Sequence, residues 1–236
     1  MTVVDFVRPE RAVPLRLVSG RGHYEQVVRA VEAAECSVWI ATANLKELFV
    51  EDHRVVPGRR RGGRRVAHRS MLEVFDELAA RGVELRILHA APPSGPFRAG
   101  LAKRPRLAGG GLALRVCPRV HLKAVVVDGT LLYLGSANWT GAGLGAKGSG
   151  RRNFEVGVLT ADTGLLDEVQ ALFDRIWRGA ECAGCRLRLR GCAAPLDGAG
   201  EVPRPTPASA AGATSKRATD GAAVTRRRRG APRRDR

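Results

Sequence analysis

The stretch HLKAVVVDGTLLYLGSAN, residues 121–138 of the 236-residue chain, decides how the rest is read. Residues 125–127 and 131–134 have the β-branched and apolar pattern of strands, and Asp128-Gly129-Thr130 between them is a hairpin signal. A two-residue turn at Gly129 and Thr130 pairs His121 with Asn138 and Lys123 with Ser136. Moving that turn back one residue changes the partners but keeps the face, because side chains along a strand alternate with a period of two. An imidazole, an ammonium, a hydroxyl and a carboxamide are then expected on one patch of sheet. Such a patch suits a phosphate. A neutral imidazole can attack phosphorus and split one hard displacement into two easier ones. Lys123 supplies a point charge, and Ser136 and Asn138 supply neutral donors, to the oxygens that carry charge in the transition state. Asp128 is roughly 16 Å from Lys123 along an extended strand and points to the opposite face, so it reads as a turn or supporting residue.

The pattern His121-x-Lys123-x4-Asp128-x6-Gly135-Ser136-x-Asn138 resembles the signature of the phospholipase D superfamily, with every fixed position matched. Downstream, the segment around Asn153, Phe154 and Glu155 is similar to the Asn-x-Glu strand that follows the signature in that family. The resemblance implies phosphodiester chemistry with no cofactor for catalysis. In the family two copies of the motif meet: one histidine attacks phosphorus, and the other protonates the leaving oxygen and then activates water or an alcohol. This chain has one copy. His23, His53, His68 and His89 lack a lysine two residues on and the Gly-Ser-x-Asn that should follow. The resemblance therefore implies a homodimer with the site on its two-fold axis, where each His121 meets its own copy. Glu155 is then a candidate to hydrogen-bond a histidine and hold its tautomer, with Gly135 and Asn153 in supporting positions.

Strand-like and helix-like segments alternate along the chain. Strands are expected at 15–19, 37–45, 83–89, 112–117 and 153–160 around the motif hairpin, and helices at about 23–34, 70–80, 96–103 and 165–177. This predicts an α/β fold with a mixed β-sheet sandwiched by helices, the phospholipase D-like architecture. The organisation reads as an N-terminal extension at 1–14 and a catalytic domain at 15–180 that carries a basic loop at 54–69. A cysteine-containing segment at 181–198 and a disordered Arg/Ala/Pro-rich tail at 199–236 complete it. No apolar run is long enough to cross a bilayer, and the early charges Asp5, Arg8, Glu10 and Arg11 leave no signal peptide, so a cytoplasmic protein is expected.

The net charge of +17 is concentrated. Residues 201–236 carry ten Lys or Arg against three acids, and 54–69 carries seven arginines and no acid. Arg59, Arg60, Arg61, Arg64 and Arg65 are candidates to grip a phosphate backbone through their planar forks. No aromatic residue lies in that loop, so base stacking there is not expected. The loop is read as leaving the strand that ends near Leu45. Among five cysteines, Cys36 and Cys117 read as buried small apolar residues in strands. Cys182, Cys185 and Cys192 have a spacing that suggests a structural zinc, with a fourth ligand still to come from an earlier segment.

Three functions remain open. The first is a metal-independent nuclease. The second is a phospholipase D or phosphatidyltransferase, cardiolipin synthase-like, for which anionic phospholipid would be the partner. The third is a non-catalytic nucleic-acid-binding module on the same fold.

Overall fold

The computed structural model describes residues 5–54 and 66–198, with the backbone alone at 59–60 and 63–64. The arginine side chains expected to bind nucleic acid (Arg59, Arg60, Arg61, Arg64, Arg65) and the tail from residue 199 lie outside the described residues. Seven strands form one mixed sheet. In spatial order they are β1 (Arg16–Ser19), β11 (Val156–Thr160), β10 (Leu131–Gly135), β9 (Ala124–Val127), β2 (Ser37–Thr42), β7 (Glu84–His89) and β8 (Ala113–Val116). The pairs from β1 to β2 are antiparallel, and β2–β7 and β7–β8 are parallel. Two further ladders are small: β3 (Phe49–Glu51) with β6 (His68–Ser70), and β4 (Arg59–Arg60) with β5 (Gly63–Arg64).

The sheet is covered on both faces, which explains why β9 is apolar at every position rather than alternating. Val125 and Val127 join the larger core with Tyr24, Val28, Leu72, Phe75 and Trp139. Ala124 and Val126 face the other side, where the Thr163–Trp177 helix lays Leu166, Phe173 and Trp177 on the sheet. Trp39, Phe173 and Trp177 stack in series at 5.3 and 5.6 Å between centroids. The Met71–Ala80 helix starts where the Ser70 hydroxyl accepts the Leu72 N–H, and it buries Met71, Leu72, Val74, Phe75 and Leu78. Residues expected as an N-terminal extension are tied to the second face: Arg11 grips Asp162 and Arg8 pairs with Glu168.

Several expectations are corrected. The hairpin turn has three residues, not two: Asp128 and Gly129 adopt φ of 53° and 63°, the Thr130 N–H bonds the Val127 carbonyl, and Val127 faces Leu131. An extra loop residue shifts the ladder by one, so Lys123 lies opposite Gly135 rather than Ser136. The strand expected at 37–45 stops at Thr42, and the one expected at 153–160 starts at Val156. The basic segment leaves β3 and returns through β6, not from Leu45, because a short ladder intervenes. Its flanks are locally neutralised: Arg54 pairs with Asp52 and Glu77, and Arg69 pairs with Glu77 and Glu32. Cys36 is exposed just before β2, and Cys117 is half-buried just past β8.

Asp128 works at the opposite end of the sheet from the other motif residues. Its carboxylate accepts the backbone N–H groups of Glu35, Cys36 and Ser37, which pins the hairpin tip to the start of β2. Those three donors hold its pKa below the ordinary carboxylate value, although burial opposes them. The stabilisation is therefore complete above an ordinary Asp pKa of about 3.9, and is lost as pH falls through the lowered value. Asp128→Ala should cost about 2 kcal/mol in urea melts at neutral pH, while turnover per folded molecule stays near wild type. A large loss of turnover in fully folded protein would instead give Asp128 a chemical role.

Candidate active site

One edge of the sheet gathers the polar residues. The carboxyl ends of β1, β2, β7 and β10 and the amino ends of β9 and β11 meet there, as the registers of Ser19 with Val156, Gly135 with Gly157, and Ala41 with Ala124 require. Open α/β sheets characteristically bind ligands beyond such strand ends.

His121 is exposed, three residues before β9, and Lys123 is half-buried beside it. The Lys123 ammonium lies 3.1 and 3.0 Å from the two ring nitrogens and donates to the His121 carbonyl at 2.9 Å. Burial lowers the Lys123 pKa, and the nearby Glu155 charge opposes that fall. Asn138 is anchored at the end of β2: its Oδ1 accepts the N–H of Ala43 and Asn44 at 3.1 and 3.0 Å and the Thr42 hydroxyl at 3.3 Å. With the oxygen so engaged, its amide N–H2 is the group left for a ligand oxygen. Ser136 and Glu155 form a close hydroxyl–carboxylate contact, and Ser136 is also fixed to Val156 through its backbone and hydroxyl. Asn153 donates to Glu155 at 3.1 Å.

The expected residues are thus brought to one edge, though not by the route the sequence implied. Alternation along a ladder would have sent Ser136 and Asn138 to the face opposite Lys123. They remain at the edge because β10 ends at Gly135 and the chain turns across to β2, where Trp139 bridges Leu45. Glu155 is likewise held by Ser136 and Asn153, not by the histidine ring of its own chain.

Four residues were not singled out from sequence. His23 is fully buried at the first turn after β1, packs edge-on to Tyr133 at 5.5 Å, and has Nδ1 3.3 Å from the Gly20 carbonyl. Its Nε2 has no hydrogen-bond partner among the described residues. Burial lowers its pKa and Glu155 opposes this. Tyr133 accepts the Ala137 N–H, and burial pushes its phenol up to about 12. Buried Thr42 receives the Trp139 N–H at 2.9 Å. His89 pairs with Thr42 across β2–β7, is buried, and has Nδ1 3.0 Å from the Ala91 carbonyl. Only Tyr133 sits inside the motif; His23 is 132 positions from Glu155 and carries no spacing signal.

Glu155→Gln should keep the bond accepted from Asn153 on its one oxygen, reverse the other so that its amide donates to the Ser136 hydroxyl, and remove the charge that supports the Lys123 ammonium. The Lys123 pKa then falls further, and the alkaline limb of kcat/KM should move down by about one pH unit. An unshifted profile with lowered activity would make Glu155 a purely structural support.

The sequence model of the family described as "Cardiolipin synthase, PLD-like domain" matches residues 27–177. Among solved structures, the chain is similar to NucT from Helicobacter pylori, with 15% identity and a TM-score of 0.48, over 70% of this chain and 95% of that one. It is also similar to the phospholipase D family member Nuc from Salmonella typhimurium, with 17% identity and a TM-score of 0.46 over 70% and 95%. For phosphatidylserine synthase from Haemophilus influenzae the values are 16% and 0.46, over 72% and 40%. No curated protein sequence matches the chain.

Proposed function

Since the chain belongs to the phospholipase D-like family, we propose that it is a phosphodiesterase that cleaves nucleic acid through a covalent phosphohistidine. The observation that carries this reading is the contact of His121 with Lys123 at the edge where Asn138, Ser136 and Glu155 also converge. A ring nitrogen of His121 attacks phosphorus, the N–P bond forms, and the bond to the leaving oxygen breaks as a second histidine gives that oxygen its proton. The second histidine then takes a proton from water, whose oxygen displaces His121 from phosphorus. Lys123 and the Asn138 amide hold the non-bridging oxygens throughout.

One motif per chain makes the second histidine the partner's His121, so the active form is a homodimer. Exposed apolar residues near the edge support a second copy there: Leu17 and Val156 share one face of β1–β11, and Phe154 is fully exposed beside Glu155. For the substrate, Lys147, Arg151 and Arg152 lie in the loop that returns to Asn153, and among the described residues they form no ion pair. Basic groups in the loop that leads into Asn153 and Glu155 suit a phosphate backbone. The exposed Phe154 also fits a second reading, transfer on anionic phospholipid. No described helix is long and apolar enough to cross a membrane.

The test runs wild type and His121→Ala on single- and double-stranded DNA, on RNA and on phosphatidylglycerol vesicles, all in EDTA. Nucleic-acid cleavage lost in the variant supports the proposal. Head-group release alone moves the protein to the lipid reading. Tight DNA binding by both proteins without turnover makes it a binding module. Loss of specific activity on dilution would support the dimeric site.

A further inference from the structure

Four of the five cysteines line one cavity: Cys182, Cys185 and Cys192 from one segment, and Cys117 from a distant one. The cavity lies between the β8–β9 connection and the segment that follows the Thr163–Trp177 helix. All four are free thiols and half-buried, whereas Cys36 is exposed and elsewhere. The backbone around them is already turned inward. The Cys185 N–H bonds the Cys182 carbonyl at 3.1 Å, closing a Cys-x2-Cys turn, and the Val120 N–H bonds the Cys117 carbonyl at 2.9 Å. The Cys182 N–H bonds the Gly179 carbonyl at 2.9 Å, and the Leu189 N–H bonds the Cys185 carbonyl at 3.2 Å.

We propose that Cys117, Cys182, Cys185 and Cys192 form a tetrathiolate site for a structural Zn2+. Four sulfur ligands in a closed set suit this ion and leave no open position for chemistry. The sequence reading lacked a fourth ligand; the fold supplies Cys117 from the strand side. Among the described residues no three such side chains already converge as a metal-ligating group. The thiols surround the cavity, and the ion would draw each sulfur to about 2.3 Å.

The segment has a physical need for such a staple. Its helix, Arg186–Leu189, has four residues, far too few to hold itself. Among described residues beyond 177, Leu196 is the one large apolar side chain that is buried. A metal would clamp this end to the connection that leads to the active site. Cys117 is four residues before His121, and Val120 and Leu122 on either side of His121 pack in one cluster with Phe173, Trp177 and Leu196. The site takes no part in the phosphoryl step.

Full-length protein is purified under reducing conditions without added metal, and its zinc and iron are measured by mass spectrometry. About one zinc per chain is expected, with most of it lost in Cys117→Ser and in Cys185→Ser and none lost in Cys36→Ser. Cobalt exchanged into the wild type should give the visible bands of a tetrahedral thiolate site, and Cys117→His, which keeps a ligand, should retain metal. Metal-free wild type whose five thiols all react in the native state would overturn the site. Zinc retained in Cys117→Ser would overturn the fourth ligand, and a coloured, iron-containing protein would overturn the zinc. Because metal content is read directly, failure here is distinct from failure of the phosphodiesterase reading.

Discussion

Under the proposed mechanism, His121→Ala is expected to lower turnover on the cleaved substrate by on the order of 10⁴-fold or more, because it would remove the proposed nucleophile and, in the proposed dimer, the acid and base as well. The protein should remain folded. His121 is exposed and its ring contacts Lys123, so the stability change should stay within about 0.5 kcal/mol in a urea melt. Binding should also persist, since Lys123 and Asn138 are untouched. A mixed dimer with one His121 tests the shared site: it should be nearly inactive, whereas half of wild-type activity would mean that each chain works alone. Full activity in the homodimeric variant would remove His121 from the mechanism.

Gly135→Ala should be among the most destabilising single changes, costing about 3 kcal/mol. A Cβ at Gly135 would fall 2.7 Å from the Gly157 Cα and 2.7 Å from the Val156 carbonyl oxygen, and 2.4 Å from the Tyr133 hydroxyl. Backbone atoms of a paired strand cannot step aside. At Gly157 the three atoms nearest to an added Cβ all belong to the Tyr133 side chain, at 2.3 to 2.8 Å. That ring is 1% exposed and has nowhere to go in the wild type. Tyr133→Leu should therefore recover part of the stability lost in Gly157→Ala and little of that lost in Gly135→Ala. Equal recovery in both would show that the strand backbone gives way more readily than this packing implies. The glycine of the motif is thus set by the backbone of β11 paired across from it, and Gly157 by the Tyr133 side chain.

The sheet and its helical layers were legible because burial writes itself locally. The apolar run in β9 and the helices expected at 70–80 and 165–177 each follow from one segment and its period. His121, Lys123 and Asn138 were legible for a different reason, since their spacing is a recognisable pattern. Details that depend on a single added residue were not legible. The turn at Asp128 and Gly129 holds three residues, and that one residue reverses the alternation on which the convergence of Ser136 and Asn138 was first argued.

Contacts between distant segments were out of reach for a similar reason. Nothing near His23 announces Tyr133 or Glu155, and nothing near Cys182 announces Cys117. Each pair is joined only when strands far apart in sequence end at the same edge or face the same helix. The sequence by itself determined the layered fold and the residue types of the motif, because periodicity and residue type are local properties of the chain. The tertiary structure alone decided that Asn138 is anchored to β2, that Glu155 is held by Ser136 and Asn153, and that Cys117 joins the C-terminal cysteines. Those outcomes are set by register and strand order, which no single segment encodes.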